Sequence, residues 1–466
     1  MIFTDFLFFP FILVVIFIAN FILKNNLKFR IIFLTASSYF FYATWDWRFM
    51  FLILTSTVID YFLGLKIEKS SIHKKKYLIL SIIFNLSILG FFKYFNFFLD
   101  NISWLFGSNF TYWNIILPVG ISFYTFQTMS YSIDIYRGKI NAEKDFMKFA
   151  FFVSFFPQLV AGPIVRASEF LPQTKYLKTP SHSEFISGLQ IFIYGLIKKL
   201  LIADSLSLYV DVVYGSPPLF STETLWLATI AYAIQIYCDF SGYSDMAIGT
   251  AKMLGFKLVK NFDIPYLSKS ITEFWQRWHM SLSRWIKDYI YISLGGNRKG
   301  KFRQSVNLLI TMLLGGLWHG ASINFVVWGE LHGLVLIFEK YFILDRFKDF
   351  KYKTKFNLVG WFLTFNFVLF TWIFFRAKNL DFAFIIIDRM YFGYSTGIQW
   401  IYTPLLFIIP VVIVAHFVGF YLRKHNKNYL LLNLNSFFGM LIIIFIILGI
   451  FVLNPQNPTP FVYFQF

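Results

Sequence analysis

The sequence predicts an all-α integral membrane protein that crosses the bilayer about eleven times, with re-entrant and interfacial helices. Three observations lead there. Of 466 residues, 57% are hydrophobic and only 14% charged, against roughly a quarter charged in a soluble domain. Phe alone supplies 64 residues and aromatics reach 22%, more than a water-facing surface displays without aggregating. Apolar stretches of about the 20 residues that span hydrocarbon recur with short basic loops between them.

The elements follow in order. Residues 6–23 form the first span; Asp5 precedes them, and neither a basic leader nor a small-residue cleavage site is present, so they read as a retained span and not a signal peptide. A second span leads to a turn at Asp46–Arg48, and further spans are expected at 49–65, 77–98 and 115–133. Residues 149–165 are apolar but contain Pro157, Gly162 and Pro163. Irregular backbone at membrane depth is tolerated only against protein or a water cavity, so this is the re-entrant candidate. Later spans are expected at 185–203, 225–240, 306–317, 325–342, 358–375, 405–421 and 437–453. No polar linker divides the chain, so residues 1–466 are expected to form one transmembrane domain.

The net charge of +18 does not point to nucleic acid. The cations sit in alternate loops: Lys24, Lys28 and Arg30; Lys66, Lys69 and Lys74 to Lys76; Arg137, Lys139, Lys144 and Lys148. That is the positive-inside pattern, and it places the N-terminus outside the cell membrane. Arg298, Lys299, Lys301 and Arg303 stand close together before the span at 306–317. In a cytoplasmic loop they would attract an anionic donor, although ordinary topology also explains them.

Residues 270–292 read as one amphipathic helix. Ser270 and Glu273 have capping-box spacing. Phe274, Trp275, Trp278, Leu282, Trp285, Ile286, Tyr289 and Ile290 share one arc, while Glu273, Arg277, Arg284, Lys287 and Asp288 share the other. His279 falls on the flank of the apolar arc, where a titratable group needs a partner or a task; a core histidine bonded to a carbonyl is the alternative. The second constellation is Gly315-Gly316-Leu317-Trp318-His319-Gly320, inside a run of low charge from Ser305 to Phe338. An unbroken helix of that length would measure roughly 50 Å, beyond the ~30 Å hydrocarbon core, so it must break near these glycines. His319 is then an imidazole at an irregularity deep in the membrane, functional by default. His332, in Trp328-Gly329-Glu330-Leu331-His332-Gly333, is a weaker candidate that neighbours could satisfy.

No HExxH, GxSxG or P-loop occurs, and no third ligand accompanies these histidines, so neither a metal nor a bound cofactor is expected. The one cysteine, Cys238, allows no disulfide, and with no evident cation beside it reads as a poor acyl carrier. Direct transfer remains: a neutral histidine takes the proton of a hydroxyl as it attacks a thioester, help worth about 10²–10⁴ in rate.

At these residues the chain resembles the membrane-bound O-acyltransferase superfamily, in particular its bacterial branch of alginate, peptidoglycan and exopolysaccharide O-acetyltransferases. The resemblance runs through Pro118-Val119-Gly120-Ile121-Ser122-Phe123-Tyr124, Phe155-Phe156-Pro157-Gln158 to Gly162-Pro163-Ile164, and Asp239-Phe240-Ser241-Gly242-Tyr243-Ser244-Asp245. It continues in Phe274-Trp275, Arg277-Trp278-His279-Met280-Ser281-Leu282-Ser283, Gly316-Leu317-Trp318-His319-Gly320 and the tail from Pro460 to Phe466. It implies that His319 is the catalytic histidine and His279 the second functional one. Lining candidates on the same motifs and nearby are Trp275, Arg277, Trp278, Ser281, Arg284, Asp288, Asn307, Trp318, His332, Asp239 and Ser241. The implied donor is a cytoplasmic thioester, on coenzyme A or an acyl carrier protein; the implied acceptor is an extracytoplasmic glycan, the two meeting in a central tunnel, with a periplasmic acetyltransferase as a further partner. The branch that transfers D-alanine toward teichoic acids shares both histidine motifs. A glycan or lipid transporter would instead show repeat symmetry, and none is evident; a non-catalytic scaffold would have no reason to place its histidines so.

Overall fold

The computed structural model describes residues 1–107, 113–160, 162–176, 179–344, 358–434, 436–453 and 461–462. Among these the chain is helical, apart from turns and one isolated bridge between Phe220 and Ile398. It divides into two compact units, Met1–Phe192 with Tyr243–Val259, and Ile193–Gly242 with Lys260–Phe466.

In the first unit, Phe8–Phe17 runs into a π-helical turn, Ile18–Ile22. The helix Leu27–Ala43 follows, capped by Asn26, whose side chain accepts from the Phe29 amide at 3.2 Å. Asp46 caps Trp47–Lys69 in the same way. Arg30 corrects the reading of charge: it lies inside the Leu27–Ala43 helix and not in a loop, and is 1% exposed. Its guanidinium donates to Asn20 Oδ1 (2.9 Å) and the Leu254 carbonyl (3.1 Å). Arg30 is therefore no witness to topology.

The span expected at 115–133 is helical only over Ile121–Tyr136. Pro118 has no amide hydrogen to give, and Gly120 sits at φ +74°, where a Cβ would fall 2.4 Å from the Leu159 carbonyl oxygen. The segment expected to be re-entrant is two short helices, Phe146–Ser154 and Phe156–Leu159, broken at Phe155 and buried from Phe149 onward. Gln158 closes part of the break by donating to the Phe152 carbonyl at 2.6 Å.

In the second unit, Gly300–His319 and Ile323–Phe338 form an antiparallel hairpin. Glycine lets the two backbones touch. A Cβ on Gly316 would lie 2.1 Å from the Phe325 carbonyl oxygen, and one on Gly329 would lie 2.4 Å from that of Met312. The helix break falls at 320–322, so neither Gly315 nor Gly316 makes the bend; Gly316 serves the packing. Thr222–Met253 is longer than the span expected at 225–240. A short helix absent from the sequence reading, Leu380–Ile387, is capped by Asn379 and continues in a π-turn at Asp388–Phe392.

Among the described residues five helices are long and apolar enough to cross a membrane: Trp47–Lys69, Lys74–Ser103, His182–Gly215, Leu358–Arg376 and Leu405–Lys424. Two shorter apolar helices, Phe8–Ile22 and Phe437–Ile450, join them. Phe407, Phe417, Phe438 and Phe445 are exposed, which a lipid solvent permits and water does not.

Candidate active site

The site is built in the second unit from a corner and a helix end. Residues 270–292 are not one helix. Ser270 caps Ile271–Arg277 by accepting from the Glu273 amide at 3.0 Å, as the capping-box spacing anticipates. The chain then breaks at Trp278–His279 and restarts as Met280–Ile286, followed by a π-turn at Lys287–Tyr291. His279 makes the corner in a left-handed conformation, φ 42° and ψ 55°. A non-glycine residue holds that geometry only where its surroundings impose it. The extended segment before it does so: the Asp263 amide donates to the Arg277 carbonyl (2.9 Å), and the Met280 amide to the Asn261 carbonyl (2.8 Å).

His319 is the last residue of Gly300–His319 and is 3% exposed; His279 is fully buried. Aromatic rings connect them. Trp318 stands 5.7 Å from the His279 ring and 5.1 Å from that of His319, centroid to centroid. Phe240 closes on His279 at 4.6 Å, and Trp328 and Phe375 on His319 at 5.1 and 5.0 Å. Trp328 continues the series to His332 at 4.7 Å. Three imidazoles are thus separated by two indoles, which exclude water while holding the rings rigid.

Their hydrogen bonds differ. His332 Nδ1 accepts from Trp275 Nε1–H at 3.3 Å, an indole nitrogen being a donor only. Its Nε2–H therefore donates to Thr371 Oγ1 at 3.1 Å, and both nitrogens are committed. His279 Nδ1 lies 3.1 Å from Asn261 Oδ1. That oxygen also receives the Ser281 amide (3.2 Å) and the Ser281 hydroxyl (2.9 Å).

The remaining sequence candidates separate into groups. Trp278 is buried against Phe262 and Trp372, at 5.0 and 5.1 Å. Arg277 pairs with Glu273. Asp239 is buried, ion-paired with Lys199 at 2.8 Å and accepting from the Val462 amide, while Asp204 takes the same lysine at 2.7 Å. Asp239 is thus neutralised in the core, and Ser241 is buried two residues on. Asn307 ties its helix to the Gly296 carbonyl at 2.9 Å, a structural bond. Arg284 is exposed and Asp288 half-buried. Arg298, Lys299, Lys301 and Arg303 are all exposed, around the N-terminus of Gly300–His319. Cys238 is buried, and among the described residues no three His, Cys, Asp or Glu side chains gather as a metal would need. Of the tail motif, only Phe461 and Val462 lie within the described residues. Asn261 and Phe375 belong to the site without a motif to mark them, and Phe240 and Trp328 enter the sequence reading only as members of motifs; Asn261 carries no signal there beyond its place in an extended run before Pro265.

The model of MBOAT, the membrane-bound O-acyltransferase family, matches residues 139–382 and so includes both His279 and His319. This chain belongs to that family. It is 38% identical to the probable alginate O-acetylase AlgI of Pseudomonas putida, over 98% of this chain and 99% of the relative. It is 39% identical to the peptidoglycan O-acetyltransferase of Helicobacter pylori, over 80% and 76%. The teichoic acid D-alanyltransferase of Bacillus subtilis is more distant, 27% identical over 57% and 70%. The chain is therefore a membrane O-acyltransferase of the alginate O-acetylase-like branch, and the transporter and scaffold readings are set aside.

Proposed function

We propose that this O-acyltransferase moves an acetyl group from a cytoplasmic thioester to a hydroxyl of an extracytoplasmic glycan, with His319 as general base. The observation that carries this is the place of His319: buried, at the end of a helix, where the chain breaks between two helices packed backbone to backbone. The hydroxyl oxygen attacks the thioester carbon while its proton passes to the His319 imidazole. The C–S bond breaks, the thiolate leaves, and it recovers the proton from the imidazolium, so that ester and thiol are the products. Holding both reactants in line contributes alongside base catalysis.

In this reading residues 1–466 act as one domain of about eleven spans, with the N-terminus outside and a tunnel leading to His319 from both faces. The donor is carried by coenzyme A or an acyl carrier protein, and a periplasmic acetyltransferase is a fitting partner for polymer modification. Arg298, Lys299, Lys301 and Arg303 form the donor's docking surface. Cations at a helix N-terminus oppose the helix dipole and each other, so their gathering there favours an anionic visitor over helix stability. Acetyl transfer is preferred to D-alanyl transfer because identity to the O-acetyltransferase relatives is higher and extends over more of the chain.

The test is reconstituted protein in which His319→Ala inserts and folds as wild type. Surface glycan from cells carrying it, analysed by mass spectrometry, should lack the acyl ester. Wild-type acylation by that variant would refute the assignment.

A further inference from the structure

The donors around Asn261 decide a chemical question that burial leaves open, namely which nitrogen of His279 carries its proton. A backbone amide can only donate, so the side-chain atom of Asn261 that meets the Ser281 N–H at 3.2 Å must be the carbonyl oxygen. The same oxygen takes the Ser281 hydroxyl at 2.9 Å. It has no hydrogen to offer His279, so the contact at 3.1 Å requires a proton on Nδ1. Neutral His279 is then the Nδ1–H tautomer, with its lone pair on Nε2. Asn261 also receives the Met280 amide on its backbone carbonyl at 2.8 Å. One residue, 18 positions upstream, thus clamps the left-handed corner and the ring that projects from it.

We infer that Asn261 is a positioning residue for acyl transfer: its amide oxygen fixes the His279 tautomer, making Nε2 a hydrogen-bond acceptor toward substrate. This rests on the proposed acyl transfer and on the expectation from the sequence that His279 is its second functional histidine. It gives that histidine a definite role. While neutral, His279 receives a hydrogen bond from a substrate O–H or N–H other than the attacking hydroxyl, whose proton goes to His319; it thereby aligns the substrate and does not donate to the thioester carbonyl. Phe240, Phe262 and Trp318 pack against its ring, and the amide oxygen of Asn261 sets the tautomer.

The experiment uses the full chain in lipid nanodiscs, with acetyl-CoA and a short uronate oligosaccharide as probes, and measures kcat, KM and the pH profile. Asn261→Leu removes the acceptor and lets the ring take either tautomer; kcat should fall on the order of 10²-fold with KM for acetyl-CoA little changed. Asn261→Asp keeps both Ser281 bonds, but its carboxylate stabilises the imidazolium. The acid limb of the rate profile should therefore move one to two units toward higher pH, with activity recovered above it. A merely structural asparagine would not move that limb, and the near-isosteric Asp variant serves if Leu fails to fold. Wild-type kcat in a folded Leu variant, or an unmoved limb in the Asp variant, overturns the inference. His279→Ala separates the two failures: if it too keeps wild-type activity, the underlying role of His279 falls, and if it alone is inactive, only the role of Asn261 does.

Discussion

Two adjacent glycines should behave oppositely when given a methyl group. A Cβ on Gly316 would stand 2.1 Å from the Phe325 carbonyl oxygen and 3.2 Å from Gly329 Cα, both backbone atoms that cannot swing aside. Ordinary contact begins near 3.4 Å, so the two helices must part by about 1.3 Å at that point. A Cβ on Gly315 meets only the end of Ile286, at 3.4 Å, and fits. His319 follows Gly316 by three residues, just under one helical turn, so the displacement is passed to its imidazole. Overpacking of this kind costs about 1–3 kcal/mol, and a shift of about 1 Å at a catalytic group can cost on the order of 10²-fold in rate. Gly315→Ala instead gains helix propensity, up to about 1 kcal/mol.

The assay is acyl transfer and thermal unfolding of both variants, purified side by side. Gly316→Ala should lose about two orders of magnitude in kcat and unfold at lower temperature, while Gly315→Ala stays within about twofold of wild type. Equal activity in the two variants would show that the hairpin does not set the position of His319, and the argument from backbone contact would be wrong.

Other perturbations test the surroundings. Thr371→Val leaves the His332 Nε2–H without its acceptor, and should cost about 1–3 kcal/mol of stability in a denaturation series; an unchanged midpoint would mean that the bond is dispensable. Lys199→Met leaves Asp204 and Asp239 facing each other in the core, a loss of about 3–5 kcal/mol, and adding Asn at both aspartates should restore most of it. Neutralising Arg298, Lys299, Lys301 and Arg303 together should raise KM for acetyl-CoA and remove its dependence on salt. Unaltered donor kinetics with normal insertion would assign those charges to topology alone.

What was legible in the sequence depended on whether the cause was local. Apolar length announces a span, because the cost of an unsatisfied backbone in lipid is the same wherever the segment lies. The low-charge run from Ser305 to Phe338 had to break because it was too long, and it breaks at 320–322. Pro118 and Gly120 are local signals too: they start the helix at Ile121, although the apolar run extends back to residue 115. The corner at His279 has no local cause. Its two flanks keep helical phase, so the apolar arc reads as continuous, and indeed Phe274, Trp278, Leu282 and Trp285 are all buried. Only the bonds from Asn261 and Asp263 reveal the break. Arg30 is illegible for a related reason: charge signals a loop, whereas the carbonyl of Leu254 that helps to hold it inside lies 224 residues away.

The same distinction separates the histidines, which the sequence could rank only by neighbourhood. His332 sits among tryptophans as His319 does, yet its two nitrogens are taken by Trp275 and Thr371. Protonating Nδ1 would turn the Trp275 contact into two opposed donors, so His332 can hold a wall in place but is poorly suited to receive a proton. His279 is bonded through the nitrogen that already bears hydrogen, which leaves its basic nitrogen defined in direction. A buried imidazole is therefore assigned by the sense of its hydrogen bonds. Among these indole and phenyl rings, that sense is set by one amide oxygen and one indole N–H, from Asn261 and Trp275.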